Sequence, residues 1–180
     1  MKKKRLSNSK ADQSIPLKDI PIMVSGCLLG ICCRYDGSQS ASHSITHFAS
    51  SANFIPFCPE QLGGLPTPRH PAKIVGGDGQ DVLSGEATVI NSLGEDVTHA
   101  YKKGAEEALR VARLVGSSVA LLREKSPSCG LCTPYCEKSS HSGMGVTAAL
   151  FRRSGIKTFD INPEEDFPPP NFLELLGELS

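Results

Sequence analysis

The order of apolar runs and amphipathic segments predicts that strands and helices alternate along this chain. Short apolar runs predict strands at residues 21–26, 53–57, 118–124 and 156–160. The clearest helix is predicted from about Val97 to Val115, where apolar residues recur at steps of three and four. We expect Asp96 to be its N-cap and Gly116 to end it.

Shorter helices are predicted at residues 41–51, 143–153 and 172–179. Residues 58–85 are rich in glycine and proline and are predicted to form one long loop, which in a small domain usually belongs to a functional site. Strands that alternate with helices predict an α/β fold. We expect a single-domain layered sandwich with a mostly parallel central sheet and long loops at the carboxyl ends of its strands.

The length of 180 residues corresponds to one domain with tails. We predict a disordered basic tail over residues 1–19, the α/β domain over residues 20–162, and a proline-rich segment with a short C-terminal helix over residues 163–180. Apolar residues make up 39% of the chain, which is enough to form a core and argues against wholesale disorder.

The charge of the chain is unevenly distributed, although its formal net value is zero. The first ten residues hold five basic side chains and no acidic one, so the other 170 residues carry a net charge of −5. A domain with this balance is a poor candidate for a general nucleic-acid binder. RNA binding by the basic tail is the lesser alternative.

Neither membrane attachment nor export is expected. No apolar stretch approaches the roughly 18 residues that cross a bilayer. Residues 6–20 lack the apolar region of a secretory signal, so the basic start of the chain is not interpreted as one. We therefore expect a cytoplasmic protein. The sequence does not indicate its oligomeric state.

Seven cysteines are many for a cytoplasmic domain of this size. An odd number in a reducing compartment argues against a disulfide framework and favours metal binding or catalysis. The alternative is that some are small buried apolar residues. The two interpretations stay equally open for four of them, Cys32, Cys33, Cys132 and Cys136.

The other three cysteines follow predicted strands. Cys27 and Cys58 come directly after the first and second strands, and Cys129 follows the third by a few residues. Because the carboxyl ends of parallel strands share one edge of a sheet, these thiols would converge if their strands are parallel neighbours.

Three convergent thiols are typical of a metal centre. Structural zinc usually takes four ligands in paired Cys-x2-Cys spacing, which only Cys129 and Cys132 show here. An iron–sulfur cluster accepts thiolates from distant loops, and with three of them a four-iron cluster keeps one iron free to act as a Lewis acid.

Polar residues beside these cysteines are candidates for catalysis. Glu60, two residues after Cys58, could shuttle a proton, although a solvated loop glutamate is the alternative. Ser126, near Cys129, could hold a water or substrate atom, although Ser-Pro often marks a turn. Gly143 and Gly145, before the last long helix, indicate an anion site only weakly.

The sequence resembles the bacterial thiouracil desulfidase family. The matching segments extend in order over nearly all of residues 21–160: VSGCLLG with CRYDG (24–37), PFCPEQLGGLPTPR (56–69), GGDGQDVLSG (76–85), GEDVTHAYKKGAEEAL (94–109), EKSPSCG (124–130) and GMGVTAALFRRSGI (143–156). Three features depart from the family pattern: the basic tail, His70 where a second proline is common, and two added cysteines in residues 131–142.

The resemblance implies a small α/β protein with a [4Fe-4S] cluster held by Cys27, Cys58 and Cys129. It also implies that Glu60 and Ser126 are the catalytic residues. The implied substrate is a small thiolated pyrimidine: thiouracil, thiouridine or thio-UMP. Longer relatives with another domain act on thiouridine in tRNA, so a tRNA substrate stays open.

The resemblance further implies a non-redox mechanism. Substrate sulfur would bind the open iron, Glu60 would activate a water that Ser126 orients, and hydrosulfide would leave. A fourth ligand from Cys132 would close that iron. Two other functions stay open: a non-catalytic metal-binding or redox module with zinc or a fully ligated cluster, and nucleotide binding at the glycine-led helix.

Overall fold

The computed structural model describes residues 17–132, 143–165, 167 and 172. Its strands are β1 (Ile22–Ser25), β2 (Phe54–Phe57), β3 (Ala72–Val75), β4 (Thr88–Asn91), β5 (Val119–Arg123) and β6 (Lys157–Ile161). Its α-helices are α1 (His43–Phe48), α2 (Pro59–Leu62), α3 (Gly79–Ser84), α4 (Thr98–Leu114) and α5 (Val146–Arg153), and a 3₁₀ turn (Gly26–Leu29) follows β1. No helix in these described ranges is both long and apolar enough to cross a bilayer.

The central sheet has the strand order β2-β1-β5-β6. Each pair of neighbouring strands in it is parallel. Strands β3 and β4 form a separate antiparallel pair. The predicted α/β fold with a mostly parallel central sheet is therefore confirmed, and the four predicted strands are the four strands of that sheet.

The burial of each strand follows its place in the sheet. Strand β1 is buried at every residue, as expected for an interior parallel strand covered on both faces. Strand β2 lies at the edge and contains Pro56, which is exposed and has no N–H to donate to a further strand.

Apolar side chains cover both faces of the sheet and give the sandwich its layers. Ile22 and Val24 point into one cluster, while Met23 between them points into the other. Helices α4 and α5 supply much of the second cluster. Leu17, Phe167 and Phe172 pack in the first cluster, although they lie outside the domain limits predicted from the sequence. Those limits are otherwise untested and stay predictions.

The single long loop predicted over residues 58–85 is wrong. This segment contains α2, β3 and α3. Elements of four to six residues are too short to show a hydrophobic period, which explains the error. Helix α3 instead begins with reciprocal capping, in which the Asp78 carboxylate accepts from the Gln80 and Asp81 backbone N–H groups.

Helix α4 (Thr98–Leu114) agrees with the prediction of about Val97 to Val115 to within one residue at each end, but its N-cap differs. The N-cap is Val97 and not Asp96. Asp96 lies one residue earlier, where its carboxylate accepts from the Thr98 backbone N–H at 2.8 Å. Gly116 follows the helix with a φ of 69°, a conformation that glycine adopts easily. Residues 1–16 of the tail predicted over 1–19, and residues 173–179 of the helix predicted over 172–179, lie outside the described residues.

Two glycines set the distance between α2 and α4. A Cβ atom at Gly104 would overlap the Pro59 carbonyl oxygen, and one at Gly63 would overlap the Ala100 carbonyl oxygen. The backbones of the two helices therefore touch. Because α2 follows Cys58 directly and carries Glu60, this contact fixes the position of both side chains.

We predict that Gly104→Ala destabilises the protein even though alanine favours helices. Alanine gains about 1 kcal/mol of helix propensity, but overlap with Pro59 costs about 1–3 kcal/mol and displaces α2. Urea unfolding measures the difference. Glu106→Ala, an exposed position on the same helix, is the control and should change the free energy of unfolding by less than about 0.5 kcal/mol. An unchanged stability of Gly104→Ala would contradict the close contact.

Candidate functional site

A cavity of about 250 Å³ lies at the carboxyl ends of β1, β2 and β5. Cys27, Cys58 and Cys129 all line it, together with Glu60 and Ser126. The three strands that lead to these cysteines are adjacent and parallel, which was the condition for convergence. The structure thus brings the three proposed ligands and the two proposed catalytic residues to one cavity.

Each of the three cysteines lies in a different kind of local structure. Cys27 lies in the 3₁₀ turn after β1, and Cys58 is the N-cap of α2. Cys129 lies in the loop after β5 and is 6% exposed, and Cys27 is 8% exposed. Cys58 is partly buried. All three thiols are therefore largely shielded from water but face the cavity.

A fourth cysteine, Cys33, belongs to the same site. It lines the same cavity and is 3% exposed. Hydrogen bonding with the Cys27 side chain is the main cause that raises the pKa of Cys33 to about 11. The Cys58 thiol approaches the Cys33 carbonyl oxygen at 3.6 Å. From the sequence, Cys33 could be either a functional thiol or a small buried apolar residue. Its position next to Cys32 in a loop gave no indication that it lies close to Cys58.

The surroundings of the Cys58 and Cys129 thiols disfavour their charged form. A hydrogen bond to Cys33, followed by burial, raises the pKa of Cys58. Burial raises the pKa of Cys129. Such thiols become thiolates when a cation binds them, because a coordinating thiol is deprotonated outright. The donor set therefore fits a positively charged group bound within the cavity.

A single metal ion does not fit these thiols. Across residues 17–132 and 143–165, no group of three or more histidine, cysteine or acidic side chains is arranged to hold one ion. An iron–sulfur cluster places a separate iron behind each thiolate, so its ligands stand farther apart than those of one zinc ion. The described residues therefore lend no support to the zinc alternative.

The loop after β5 is shaped by two side chains. The Glu124 carboxylate accepts from the Leu131 N–H at 3.0 Å and the Cys132 N–H at 3.2 Å. The Ser126 hydroxyl oxygen accepts from the Ser128 and Cys129 N–H groups, both at 3.1 Å. Ser126 thus holds the backbone of Cys129 in addition to lining the cavity.

A strained residue lies in the same loop. Lys125 lines the cavity with a φ of 56°, in the left-handed region that non-glycine residues seldom adopt. Strain of this kind concentrates at functional sites, where the surrounding structure enforces it.

Glu60 forms a buried ion pair with Arg69. The Arg69 Nε donates to the Glu60 Oε2 at 2.6 Å, and Nη2 contacts the same oxygen. Their side chains are only 5% and 12% exposed, Arg69 first. Burial opposes the charge of Arg69, but the Glu60 carboxylate outweighs it and raises the pKa of Arg69. Arg69 also donates to the Cys33 carbonyl oxygen at 3.1 Å, so it joins Glu60 to the cysteine loop.

Ser25 and Tyr101 complete the polar wall, and sequence analysis identified neither as part of a site. Ser25 accepts from the Arg123 backbone N–H at 3.1 Å, and its side chain hydrogen-bonds Cys129 in a way that lowers the pKa of that thiol against the effect of burial. Burial raises the pKa of Tyr101 well above its ordinary value, so its hydroxyl stays protonated. The sequence indicated only that Tyr101 belongs to the buried apolar stripe of α4.

Comparison with known proteins agrees with this site. Residues 22–162 match the family model of 2-thiouracil desulfurase, which covers more than three quarters of the chain. The chain belongs to the 2-thiouracil desulfurase family. The resemblance recognised in the sequence is therefore confirmed.

The chain is also similar to a curated protein and to a solved structure. The uncharacterised protein YbbK of Bacillus subtilis (strain 168) is 44% identical over 148 residues, which cover 81% of this chain and 98% of YbbK. The solved structure of TudS, a [4Fe-4S]-dependent thiouracil desulfidase, superposes with a TM-score of 0.71 at 36% identity. That match covers 89% of this chain and 99% of TudS.

The weakly indicated anion site at Gly143 and Gly145 is not present in the structure. The Met144 N–H donates to Asp78, and the N–H groups of residues 145–148 donate to carbonyl oxygens of residues 127–130. No N–H group of this described helix start is left for a phosphate. A Cβ at Gly145 would collide with Ser128, so this glycine allows close packing and does not serve ligand binding.

The remaining cysteines lie away from the cavity or outside the described residues. Cys32 and Cys132 are exposed, and neither lines the cavity. The structure thus lends no support to Cys132 as a fourth ligand. Cys136 lies outside the described residues.

We predict that Arg69→Met lowers the free energy of unfolding by about 3–5 kcal/mol, because it leaves the buried Glu60 carboxylate without its partner. Urea unfolding of the cluster-free chain measures this loss. The double variant Arg69→Met with Glu60→Gln should recover part of it, since no unpaired charge remains. Arg113→Met, at an exposed position, is the control. Equal stability of Arg69→Met and the control would show that the pair is not buried as described.

Proposed function

We propose that this protein removes sulfur from a thiolated pyrimidine by means of a [4Fe-4S] cluster held by Cys27, Cys58 and Cys129. The observation that carries the proposal is the meeting of these three thiols, from adjacent parallel strands, in one cavity with Glu60 and Ser126. Membership of the thiouracil desulfurase family supports a small thiouracil-type substrate. The similarity to TudS supports the choice of cluster.

Three protein ligands suit a Lewis-acid role. A four-iron cluster bound by three thiolates would supply one iron that the protein does not ligate, and this iron would polarise the carbon–sulfur bond of the substrate. Ser25, at the end of β1, and the loop after β5 would position the ligand Cys129, and the start of α2 would position Cys58.

The cavity is suited to a planar ring. Its walls include Phe57, Pro59, Pro71 and Ala72, which are apolar, and its size is that of a site for a ligand smaller than a typical drug. Arg34, Arg123 and Lys125 line it as cations. Free base, nucleoside and nucleotide therefore all stay within the proposal, and a substrate panel separates them.

Glu60 is suited to take a proton from water. Arg69 holds one carboxylate oxygen, Oε2, whereas Oε1 has no hydrogen-bond partner among the described residues. A carboxylate oriented in this way can accept a proton while water attacks the ring carbon, and it can return the proton to the departing sulfur. The overall reaction exchanges the C=S group and water for C=O and hydrogen sulfide, so no electron is gained or lost.

Ser126 is suited to orient the attacking water. Its oxygen accepts from two backbone N–H groups, which leaves its own O–H free to donate. Because the same hydroxyl supports the Cys129 backbone, Ser126 links the position of the water to that of a cluster ligand.

Anaerobic reconstitution followed by sulfide measurement tests the proposal. A brown chain that releases sulfide from 2-thiouracil, 4-thiouracil, 4-thiouridine or thio-UMP would support it. A chain that binds the cluster but releases no sulfide from any of them would favour the alternative of a non-catalytic metal or redox module.

We predict that Cys27→Ala, Cys58→Ala and Cys129→Ala each lose the cluster, because each removes one of three ligands. Iron and acid-labile sulfide content after reconstitution measures the loss. Cys132→Ala is the matched control, since this cysteine is exposed and does not line the cavity, and it should retain full iron. Full iron in any of the first three variants would remove that residue from the ligand set.

We predict that Glu60→Gln keeps the cluster but slows desulfuration by about 100-fold or more, the usual contribution of a positioned general base. The change replaces the proton acceptor with an amide of the same size. Steady-state sulfide release measures the rate, and iron content shows that the site is intact. Turnover at the wild-type rate would exclude Glu60 as the base.

A further inference from the structure

Tyr101 has no role in the function proposed above, yet its side chain reaches the cavity. It lies near the start of α4 and lines the cavity, although the residue is only 2% exposed. It packs in a third apolar cluster with Ile74, Val82 and Val89. Close packing of this kind holds the aromatic ring in one rotamer, so the position of the hydroxyl is fixed as well.

The Tyr101 hydroxyl has no hydrogen-bond partner among the residues that the structure describes. In the same residues, the Arg34 Nε is the one fully buried side-chain polar atom that lacks a partner. The unpaired Tyr101 hydroxyl is therefore not fully buried and must be open to the cavity that Tyr101 lines. Buried tyrosines usually pair their hydroxyl, because an unmade hydrogen bond costs free energy. This hydroxyl thus points to a ligand in the cavity.

The ligand group that pairs with Tyr101 must be an acceptor. Burial raises the pKa of Tyr101 well above its ordinary value, so the phenol keeps its proton and donates it. In the proposed substrate, the sulfur would be taken up by the cluster. The ring oxo oxygen on the carbon that carries no sulfur is then an acceptor without a partner.

Tyr101 and the proposed ligand Cys129 lie in different walls of the cavity. Cys129 belongs to the second apolar cluster, with Phe57, whereas Tyr101 belongs to the third. Ala72 packs against this third cluster and also lines the cavity. A pyrimidine whose sulfur faces the thiols can therefore present its oxo group to the wall that contains Tyr101 and Ala72.

The contact between α2 and α4 fixes the position of Tyr101 relative to the proposed base. Gly104, one turn after Tyr101, touches the Pro59 carbonyl oxygen of α2. Glu60 follows Pro59 directly on that helix. The hydroxyl and the carboxylate are therefore carried by two helices whose backbones are in contact, so both are held in place around one bound ring.

We propose that the Tyr101 hydroxyl donates a hydrogen bond to the ring oxo oxygen of the thiolated pyrimidine and selects substrates that carry this oxygen; the inference rests on the proposed function. A site that hydrogen-bonds its substrate discriminates against an analogue without the bonding group, because a buried polar group is then left unpaired. Tyr101 would hold a second point of the ring, while Glu60 and Ser126 act at the carbon that bears the sulfur.

Two pairs of bases test this contact, because the members of each pair differ in the 2-oxo group. 4-Thiouracil and pyrimidine-4-thione are compared by kcat/KM for sulfide release, and uracil and pyrimidin-4-one are compared by calorimetric binding. Each pair is measured with the wild type and with Tyr101→Phe, which removes the hydroxyl and keeps the packed ring. Ser118→Ala, which removes an exposed hydroxyl outside the cavity, is the control.

We expect Tyr101→Phe to keep full iron and to lower kcat/KM for 4-thiouracil by about 10-fold, the effect of one neutral hydrogen bond. The same change should lower the value for pyrimidine-4-thione by less than about twofold, since that base has no oxo group to lose. The preference for uracil over pyrimidin-4-one in binding should also shrink by about 10-fold. Ser118→Ala should match the wild type in every measurement.

An equal effect of Tyr101→Phe on both members of each pair, including no effect on either, would overturn the inference, because the hydroxyl would then not recognise the oxo group. A chain that releases no sulfide but shows a Tyr101-dependent preference for uracil would support the hydrogen bond and overturn the proposed reaction alone. A wild-type chain that neither binds uracil nor releases sulfide would overturn both.

Discussion

A buried thiolate is stable only beside a positive charge, and this constraint governs the edge of the sheet where the cysteines meet. A hydrogen bond to Cys33 and burial raise the pKa of Cys58, and burial raises that of Cys129, so without a bound cation both stay thiols. The iron of a cluster would supply the missing charge. The parallel order of β2, β1 and β5 matters because it brings these sulfur atoms from distant parts of the chain to one cavity.

The rest of the fold keeps that edge in place. Helix α2 lies directly against α4 through Gly63 and Gly104, so Cys58 and Glu60 move only if the helices separate. Arg69 joins Glu60 to the Cys33 carbonyl, which connects the proposed base to the cysteine loop. The positive charges that line the cavity exceed the negative ones, which suits a site that must hold thiolates and release hydrosulfide.

The central sheet and the three strand-end cysteines could be predicted because both depend on local patterns. Strands β1 and β5 are runs of apolar residues. The cysteine that follows each of β1, β2 and β5 can be identified from its position in the sequence alone. Elements α2, β3 and α3 could not be predicted, since they are too short for a period and depend on contacts with α4 and β4. Arg69 was missed and Cys33 was left open between two interpretations, because their contacts are with residues 9 and 25 positions away in sequence, Glu60 and Cys58 respectively. The anion site suggested by Gly143 and Gly145 was wrong because of contacts that the sequence does not show. The N–H groups at this helix start donate to carbonyl oxygens of residues 127–130.

The central claim is that three thiolates hold a cluster and leave one iron for the substrate. Mössbauer spectroscopy of the reconstituted protein with ⁵⁷Fe, before and after addition of 4-thiouracil, tests it most directly. We expect about a quarter of the iron signal, that of one iron in a four-iron cluster, to change when the thiolated base is added and to stay unchanged with uracil. A spectrum in which all irons remain equivalent with either base, or a chain that takes up no iron, would contradict the claim.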